Sequence, residues 1–183
     1  MVPAVFLDRD GTINVERNYL YKISEFEFEY QAISAISLLN QAGYKVIVIT
    51  NQAGIGRGYY HESDVEQLHS WMNQELQKYG AHIDGFYYCP HHPDGIGVYQ
   101  KRCACRKPGI ALIEQAVNDF NIDIETSFFI GDRETDMVAG EKAGLRSILV
   151  LTGYGKKAQV LLKGDQTCAR NIYEAVTEHV LKR

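Results

Sequence analysis

The chain has 183 residues, of which 45% are hydrophobic, so it is long and apolar enough to bury the core of one compact domain. Charged residues make up 23% and only 4 residues are proline, a composition that excludes disordered and fibrous proteins. The net charge is -4 and the sequence has no block rich in Lys and Arg. This charge pattern argues against nucleic acid or an anionic membrane as a partner.

The sequence also lacks the features of membrane and secreted proteins. No stretch of about 18 consecutive apolar residues, the length of a transmembrane helix, occurs in the sequence. The N-terminus also lacks the basic start, apolar stretch and cleavage site that together form a signal peptide. Cys89, Cys103 and Cys105 lie close together, which in a reducing compartment indicates a bound metal rather than disulfides. Cys168 stands alone and is expected to pack as a small apolar group. We therefore expect a cytoplasmic protein.

Apolar or β-branched runs alternate with segments of helical periodicity along the chain. The runs predict strands over residues 4–7, 44–49, 85–88, 127–130 and 147–151. The periodic segments predict helices over 31–42, from a Ser63/Glu66 capping box to about 80, over 110–120 and 135–143, and one or two covering helices from Lys156 onward. The alternation predicts an α/β sandwich with parallel strands and helices on both faces of the sheet.

Several polar residues follow directly on predicted strands. Asp8, Thr50, Cys89 and Asp132 each stand where a strand is predicted to end. In open parallel sheets, ligands bind beyond the carboxyl ends of the strands. We therefore expect these four residues to meet at one rim of the sheet.

Acidic residues occur in pairs after the first and fourth of these strands. Asp8 and Asp10 are followed by Gly11, which suits a tight turn, and Asp132 is followed by Asp136. One carboxylate can attack phosphorus to form an aspartyl-phosphate, while another protonates the leaving oxygen and later activates water. Carboxylate oxygens also suit magnesium, which would bridge the acids and a phosphate. The alternative, N-caps and solvated turns, is most serious for Asp136 alone.

Two further segments carry groups suited to a phosphate. Thr50 and Asn51 can donate hydrogen bonds to phosphate oxygens, and the glycines of the loop 54–58 would let the backbone approach a ligand. Lys107 can neutralise a transferring phosphoryl group, and Arg106 can bind an oxyanion with two hydrogen bonds. The alternatives are a plain turn and a solvated Arg-Lys pair.

The cysteine cluster has the composition of a zinc site. Cys89, His91, Cys103 and Cys105 supply three thiolates and an imidazole, the ligands of a closed tetrahedral site. Four protein ligands leave no position for an activated water, so the zinc is expected to be structural and to position the Arg-Lys pair that follows. His92 is the competing imidazole. The alternative is three free thiols near a surface histidine.

In chain order, four motifs resemble those of the haloacid dehalogenase superfamily. They are Asp8-x-Asp10-Gly11-Thr12, Thr50, Lys107 and Gly131-Asp132-x-x-x-Asp136. The resemblance covers residues 4 to about 155. It implies a cap-less, Rossmann-like three-layer α/β/α sandwich with a mainly parallel sheet and a zinc-binding loop, in one phosphatase domain over residues 1–183. A small cap-less domain of this kind is expected to be a monomer.

Two other stretches resemble one group within this superfamily. Cys-Pro-His-His-Pro with Cys-x-Cys-Arg-Lys-Pro, and the segment 50–58, are similar to members that act on a sugar bisphosphate. The implied activity is magnesium-dependent removal of the 7-phosphate of D-glycero-D-manno-heptose 1,7-bisphosphate. This step supplies nucleotide-activated heptose for bacterial lipopolysaccharide or surface-layer glycans.

The resemblance also implies a role for each matching residue. Asp8 would be the nucleophile and Asp10 the general acid/base, while Thr50 and Lys107 would hold the phosphoryl group. The Asp8 carboxylate, the Asp10 backbone carbonyl and Asp132 would bind magnesium, and the cysteine cluster with His91 would bind zinc. The residues implied in substrate binding are Asp8, Asp10, Glu16, Arg17, Asn18, Tyr19, Thr50, Asn51, Gln52, Ala53, Arg106, Lys107 and Arg133.

Three other functions compete with this interpretation. A histidinol-phosphate phosphatase of the same superfamily would share the acids and the zinc loop but take another substrate. A non-catalytic phospho-receiver or zinc-stapled binding module would use a similar acidic pocket, although a switch has no need of the leaving-group acid Asp10. A DNA-end phosphatase is disfavoured by the negative net charge.

Overall fold

The structure is a computed structural model that describes residues 1–162 and 166–182; positions 163–165 and 183, in the tail expected to be helical, lie outside the described residues. Six parallel strands form one sheet in the order β3-β2-β1-β4-β5-β6. The strands are β1 (Ala4–Leu7), β2 (Lys45–Asn51), β3 (Gly85–Cys89), β4 (Phe128–Gly131), β5 (Arg146–Val150) and β6 (Cys168–Ala169).

Helices connect successive strands, as parallel pairing requires. They are α1 (Ala32–Gln41), α2 (Ala53–Gly56), α3 (Glu62–Gln77), α4 (Ala111–Phe120), α5 (Glu134–Lys142), α6 (Gly155–Leu161) and α7 (Ile172–Glu174), which continues as a π-helix over Ala175–Val180. Short 3₁₀ turns occur at Ile23–Glu25, Gly97–Tyr99 and Ile124–Thr126. The predicted alternation of strand and helix is confirmed.

The core lies on both faces of the sheet. In β1, Val5 and Leu7 pack on one side, under α1, α3 and α7, whereas Ala4 and Phe6 pack on the other side, under α4 and α5. All four side chains are completely buried, as expected for a central strand covered on both faces. The structure therefore has the three-layer α/β/α architecture that the sequence predicts.

The order of the strands opens a crevice beside β1. The chain runs outward through β2 and β3, then returns to the other side of β1 at β4 and runs outward again through β5 and β6. Connections from β1 and β4 therefore leave in opposite directions, which places a crevice at their carboxyl ends. Asp8 follows β1 and Asp132 follows β4, so both acids border it.

One local prediction requires correction. Helix α3 begins at Glu62, and Asp64 accepts a hydrogen bond from the His61 backbone N–H at 2.7 Å, so the predicted Ser63/Glu66 capping box was wrong. The Glu66 carboxylate instead accepts a hydrogen bond from the Tyr88 hydroxyl at 3.1 Å, a tertiary contact that no local pattern contains.

The carboxyl-terminal region contains an element that the sequence did not predict. Residues Cys168 and Ala169 form the edge strand β6, which pairs with β5 between Leu149 and Cys168. Two residues are too few to give a period-2 signal, so only pairing with β5 defines this strand. Cys168 is partly buried against Met137 and Ala158. In residues 1–162 and 166–182, no helix has the length and apolarity to cross a membrane.

Candidate active site

A cleft of about 510 Å³ opens at the carboxyl end of the sheet. The ends of the strands and the segments that follow β1 to β5 supply its walls. They place polar groups around a concave site of the size of small-molecule pockets. The predicted site residues that line it are Asp8, Asp10, Glu16, Asn18, Tyr19, Thr50, Asn51, Gln52, Ala53, Arg106, Lys107 and Arg133. The structure thus brings together groups from distant parts of the chain.

Lys107 lies at the floor of the cleft between two carboxylates. Its Nζ is 2.8 Å from Asp8 Oδ1 and 2.7 Å from Asp136 Oδ1, and it donates a hydrogen bond to the Ile49 carbonyl at 2.7 Å. Burial lowers the pKa of Lys107, but the charges of Asp136 and Asp8 outweigh it and raise the pKa above 10.5. The lysine is therefore a fixed positive charge beside Asp8.

Asn51 holds the backbone of Lys107. Its Oδ1 accepts a hydrogen bond from the Lys107 backbone N–H at 3.0 Å, and its Nδ2 donates to the Lys107 carbonyl at 3.2 Å. This pair of contacts joins β2 to the loop that follows β3. The sequence suggested Asn51 as a phosphate donor, but here its amide holds the backbone of Lys107.

The carboxylates after β1 and β4 form a cluster that suits a divalent cation. Oxygens of Asp8, Asp132 and Asp136 lie within 4.8 Å of one another. Burial, followed by the charge of Asp136, raises the pKa of Asp8 to about 7 against the lowering effect of Lys107. Burial and the charges of Asp8 and Asp136 raise the pKa of Asp132 to about 9. The single positive charge of Lys107 therefore offsets the negative charge of these three carboxylates only in part.

Asp132 presents an oxygen that a cation would satisfy. Its Oδ2 accepts a hydrogen bond from the Tyr154 backbone N–H at 2.7 Å, whereas its Oδ1 is buried and has no hydrogen-bond partner among the described residues. A Cβ at Gly11 or Gly153 would lie 2.2 Å from Asp132 Oδ2, so both turns require glycine to approach the acid. The donor set, hard oxygens with one unsatisfied, fits magnesium.

Asp10 is held in a dense hydrogen-bond network at the cleft. Its carboxylate accepts hydrogen bonds from Arg9 Nη2 at 2.9 and 3.0 Å, from Asn14 Nδ2 at 3.0 Å and from Gln52 Nε2 at 3.0 Å. The Gln52 carbonyl oxygen accepts a further bond from the Tyr60 hydroxyl at 2.7 Å. Gln52, expected at the substrate, therefore supports Asp10.

Thr50 remains suited to a phosphate. Its Oγ1 accepts a hydrogen bond from Gln52 Nε2 at 2.8 Å, and it lies at the end of β2 in the cleft wall. Since this contact uses the oxygen as acceptor, the hydroxyl hydrogen is available as a donor. The nearby loop 54–58 does not line the cleft; a Cβ at Gly56 would lie 2.7 Å from the Pro90 carbonyl, so its glycine serves packing against the cysteine-bearing loop.

The outer wall of the cleft is built from residues after β1 and β4. Arg133 Nη2 lies 2.9 Å from Glu16 Oε2, and its guanidinium stacks at 4.0 Å over the Tyr154 ring. Arg17 points elsewhere and pairs with Glu27 at 2.5 Å in a separate surface depression. Arg17 is therefore not among the residues that line the cleft.

The cysteine cluster converges as the sequence predicts. Cys105 Sγ lies 3.2 Å from both other thiols and 3.2 Å from His91 Nδ1, while Cys89 Sγ lies 3.5 Å from Cys103 Sγ. Ligands about 2.3 Å from a tetrahedral ion are separated by about 3.8 Å, so this compact set fits zinc with little adjustment.

The structure also decides between the two adjacent imidazoles. His91 belongs to the thiol cluster, whereas His92 turns to the cleft, where its Nε2 lies 3.3 Å from Arg57 Nη2. Arg106 donates a hydrogen bond to the His91 carbonyl at 3.4 Å and also lines the cleft. The cluster is thus adjacent to the basic side of the cleft.

Several residues of the cleft carry no signal in the sequence. Tyr60 and Tyr154 line the cleft, and both contribute hydrogen bonds to the network around the acids. Tyrosine is common in this chain, with 12 copies, and no spacing distinguishes these two. Asp136 was proposed from its motif, and its ion pair with Lys107 explains its position.

Comparisons with known proteins agree with this geometry. A family model described as HAD-hydrolase-like matches residues 104–176. The chain is 44% identical, over 88% of its length and 90% of the relative, to D-glycero-beta-D-manno-heptose-1,7-bisphosphate 7-phosphatase of Haemophilus ducreyi. It is 46% identical to D-glycero-alpha-D-manno-heptose-1,7-bisphosphate 7-phosphatase of Photorhabdus laumondii, over 84% of this chain and 85% of that one.

A solved structure extends the similarity to the fold. D,D-heptose 1,7-bisphosphate phosphatase of B. bronchiseptica, complexed with magnesium and phosphate, superposes with a TM-score of 0.87 at 28% identity, over 96% of this chain and 97% of that one. These comparisons support the heptose interpretation over histidinol-phosphate phosphatase and over a non-catalytic module. Motifs, cleft and relatives agree, and the chain belongs to the heptose 1,7-bisphosphate 7-phosphatase family of HAD-like phosphatases.

Proposed function

We propose that this protein removes the 7-phosphate of D-glycero-D-manno-heptose 1,7-bisphosphate and releases heptose 1-phosphate. The observation that carries the proposal is Asp8, which lies in the cleft 2.8 Å from the buried Lys107 ammonium and beside Asp10. A carboxylate nucleophile, a fixed cation and a second acid are the groups that phosphoryl transfer through an aspartyl-phosphate needs. Relatives named for this reaction support the substrate.

In the first step, an Asp8 oxygen attacks phosphorus and forms the aspartyl-phosphate. The bond between phosphorus and the sugar oxygen breaks, and that oxygen takes its electron pair together with a proton from Asp10. Lys107 and the Thr50 hydroxyl hold the phosphoryl oxygens during the transfer. In the second step Asp10 takes a proton from water, which attacks phosphorus and releases phosphate and the free Asp8 carboxylate.

Magnesium is part of this proposal. The Asp8 carboxylate, the Asp10 backbone carbonyl and Asp132 would hold it. The strongest support is Asp132 Oδ1, which is buried and accepts no hydrogen bond from the described residues. When bound, the ion supplies the positive charge that lets two carboxylates and a phosphate lie together. Asp136 has a different role: it anchors Lys107 from the side opposite Asp8.

The remaining part of the substrate is assigned to the outer walls of the cleft. Arg106 and Arg133 provide guanidinium groups suited to bidentate hydrogen bonds with phosphate or sugar hydroxyls. The other contacts are assigned to Glu16, Asn18, Tyr19 and Ala53, which line the same cleft. Arg17 pairs with Glu27 and has no role at the substrate, whereas Asn51 and Gln52 position Lys107 and Asp10.

Zinc at Cys89, His91, Cys103 and Cys105 would be structural. The four side chains would supply every ligand of a tetrahedral site, and Arg106 and Lys107 follow directly on Cys105. The metal would thereby fix the loop that carries Lys107 to Asp8. A thiolate cluster of this kind suits a reducing compartment, so a cytoplasmic location is part of the proposal, as are a single domain over 1–183 and a monomeric state.

The test is phosphate release, with magnesium present, from the α and β anomers of the heptose bisphosphate assayed separately, beside histidinol phosphate. Relatives named for both anomers match this chain at 44% and 46% identity, so separate anomers are needed to assign the pathway branch. We expect a large preference for one heptose anomer. The Asp8→Asn protein should release no phosphate from any of these substrates. Preference for histidinol phosphate would reassign the substrate, and no release from any of them would overturn the proposal. Gel filtration tests the monomer.

A further inference from the structure

Arg9 is a completely buried arginine between the two acids of the first motif. It is among the largest side chains with no exposed surface in the described part of the chain. Its Nη2 donates hydrogen bonds to both oxygens of Asp10 and to the Leu20 carbonyl at 2.7 Å, and its Nε contacts Asp10 Oδ1 at 3.3 Å. A buried guanidinium is costly unless its donors are satisfied, so these contacts fix its orientation.

The last partner of Arg9 is a histidine on α3. His69 Nε2 lies 3.3 Å from Arg9 Nη1, and the His69 ring stacks on Phe86 with the centroids 4.5 Å apart. A guanidinium can only donate, so Nε2 must accept and His69 must be neutral, with its proton on Nδ1. Burial and the Arg9 charge both lower the pKa of His69 well below 6.5, in agreement with this tautomer.

We propose that Arg9 and His69 are positioning residues: Arg9 holds the Asp10 carboxylate at the cleft, and His69 holds Arg9. Neither residue lines the cleft, so both act through Asp10. The chain of contacts runs from the buried His69 of α3, through Arg9, to the Asp10 carboxylate. This inference rests on the proposed role of Asp10 as the group that protonates the leaving oxygen.

The inference predicts a defect that depends on the leaving group. A sugar alkoxide is a poor leaving group and needs the proton of Asp10, whereas p-nitrophenolate is stable and needs none. Misplacing Asp10 should therefore slow hydrolysis of the sugar phosphate and spare that of p-nitrophenyl phosphate. The value of kcat/KM reports this step because it includes everything up to departure of the first product.

The central variant is His69→Phe, which keeps the ring against Phe86 and removes the acceptor for Arg9. We expect kcat/KM for the heptose bisphosphate to fall about 10- to 100-fold, a part of the usual contribution of acid catalysis, and kcat/KM for p-nitrophenyl phosphate to change less than about 3-fold. His69→Gln restores an acceptor and should recover most of the loss. Ser70→Ala, an exposed neighbour on α3, is the matched control and should behave as the wild type.

Each outcome decides the matter. Equal losses with both substrates, accompanied by a lower melting temperature, would mean that His69 only stabilises the fold and would overturn the proposal. Unchanged activity in His69→Phe would overturn it as well. Failure of the proposed function can be distinguished from failure of this inference, because the wild type itself would then release no phosphate from the sugar bisphosphate. In that case the proposed role of Asp10 would be wrong, and the inference would be overturned with it.

Discussion

Two clusters of potential metal ligands lie at the carboxyl ends of the strands and differ in chemistry. The acidic cluster of Asp8, Asp132 and Asp136 offers hard oxygens and contains a lysine. The thiol cluster of Cys89, Cys103, Cys105 and His91 offers soft sulfur and one nitrogen. Hard donors favour magnesium and soft donors favour zinc, so the proposed sites would separate the two metals by ligand type.

The clusters differ equally in how complete they are. The thiol cluster has four potential ligand atoms within 4.8 Å of one another, which would leave a bound zinc no coordination position for substrate. The acidic cluster borders an open cleft and keeps a buried Asp132 oxygen that has no hydrogen-bond partner among the described residues. A closed site suits a structural metal, and an incomplete one suits a metal shared with substrate. Lys107 links them, because it follows the thiol cluster by two residues and ends against Asp8.

The largest expected effect tests the chemistry of the acidic cluster. Asp8→Asn should reduce phosphate release by about 10⁴-fold or more, because an amide cannot form the covalent intermediate. The fold should persist, since the asparagine oxygen can still accept the hydrogen bond that Asp8 takes from the Arg9 backbone at 2.8 Å. Phosphate assays and circular dichroism check both parts. Retained turnover would eliminate Asp8 as nucleophile.

A second test breaks the thiol cluster. Cys103→Ser should lose zinc and lower the free energy of unfolding by more than about 4 kcal/mol, as expected when a structural metal is removed. Elemental analysis of the purified protein and urea unfolding measure the two effects.

The adjacent histidines give the matched control for that test. His91→Ala should lose zinc, whereas His92→Ala should keep it and affect only the cleft, because just one imidazole faces the thiols. Equal zinc content in both variants would contradict the assignment of the fourth ligand.

The response to pH should separate the clusters further. In magnesium-free protein, folded Asp8 and Asp132 keep protons that the unfolded chain releases near pH 4, since their pKa values are raised to about 7 and about 9. The folded state then binds more protons, so the free energy of unfolding should fall as pH rises from about 4 to 9, by roughly 4 kcal/mol for Asp8 alone.

Urea unfolding at several pH values measures this slope, and added magnesium should flatten it because the cation takes the place of the protons. Asp8→Asn is the control, with a shallower slope. Stability that rises over this range would refute the interpretation. The thiol cluster should respond in the opposite sense, losing zinc at low pH as protons compete for its ligands.

The smallest expected effect concerns Arg17, which the sequence predicted to bind substrate but which does not line the cleft. Arg17→Ala should change kcat/KM by less than about 2-fold, because the side chain forms only an exposed pair with Glu27. Arg133→Ala, which removes a guanidinium from the cleft wall, should raise KM for the sugar bisphosphate clearly more. Equal effects of the two substitutions on KM would contradict this prediction and indicate that Arg17 binds substrate.

Most residues of the acidic and thiol clusters could be predicted, because their types and their short spacing in the sequence indicate the chemistry. The acids after β1 and β4, and the cysteines on either side of one loop, stand at strand ends that periodicity locates. The short strand β6 and the capping box at His61 were missed, because two residues carry no period and a cap depends on where the helix begins.

The sequence by itself determined the alternation of strands and helices, the identity of the metal ligands by chemical type, and the family. Only the tertiary structure decided that His91 rather than His92 joins the thiols, that Asn51 positions Lys107, and that Arg9 lies buried beneath Asp10. Local patterns report periodicity and chemistry, which neighbouring residues determine. The direction of a side chain and its partner across the sheet depend on packing between segments far apart in the chain, and no spacing records them.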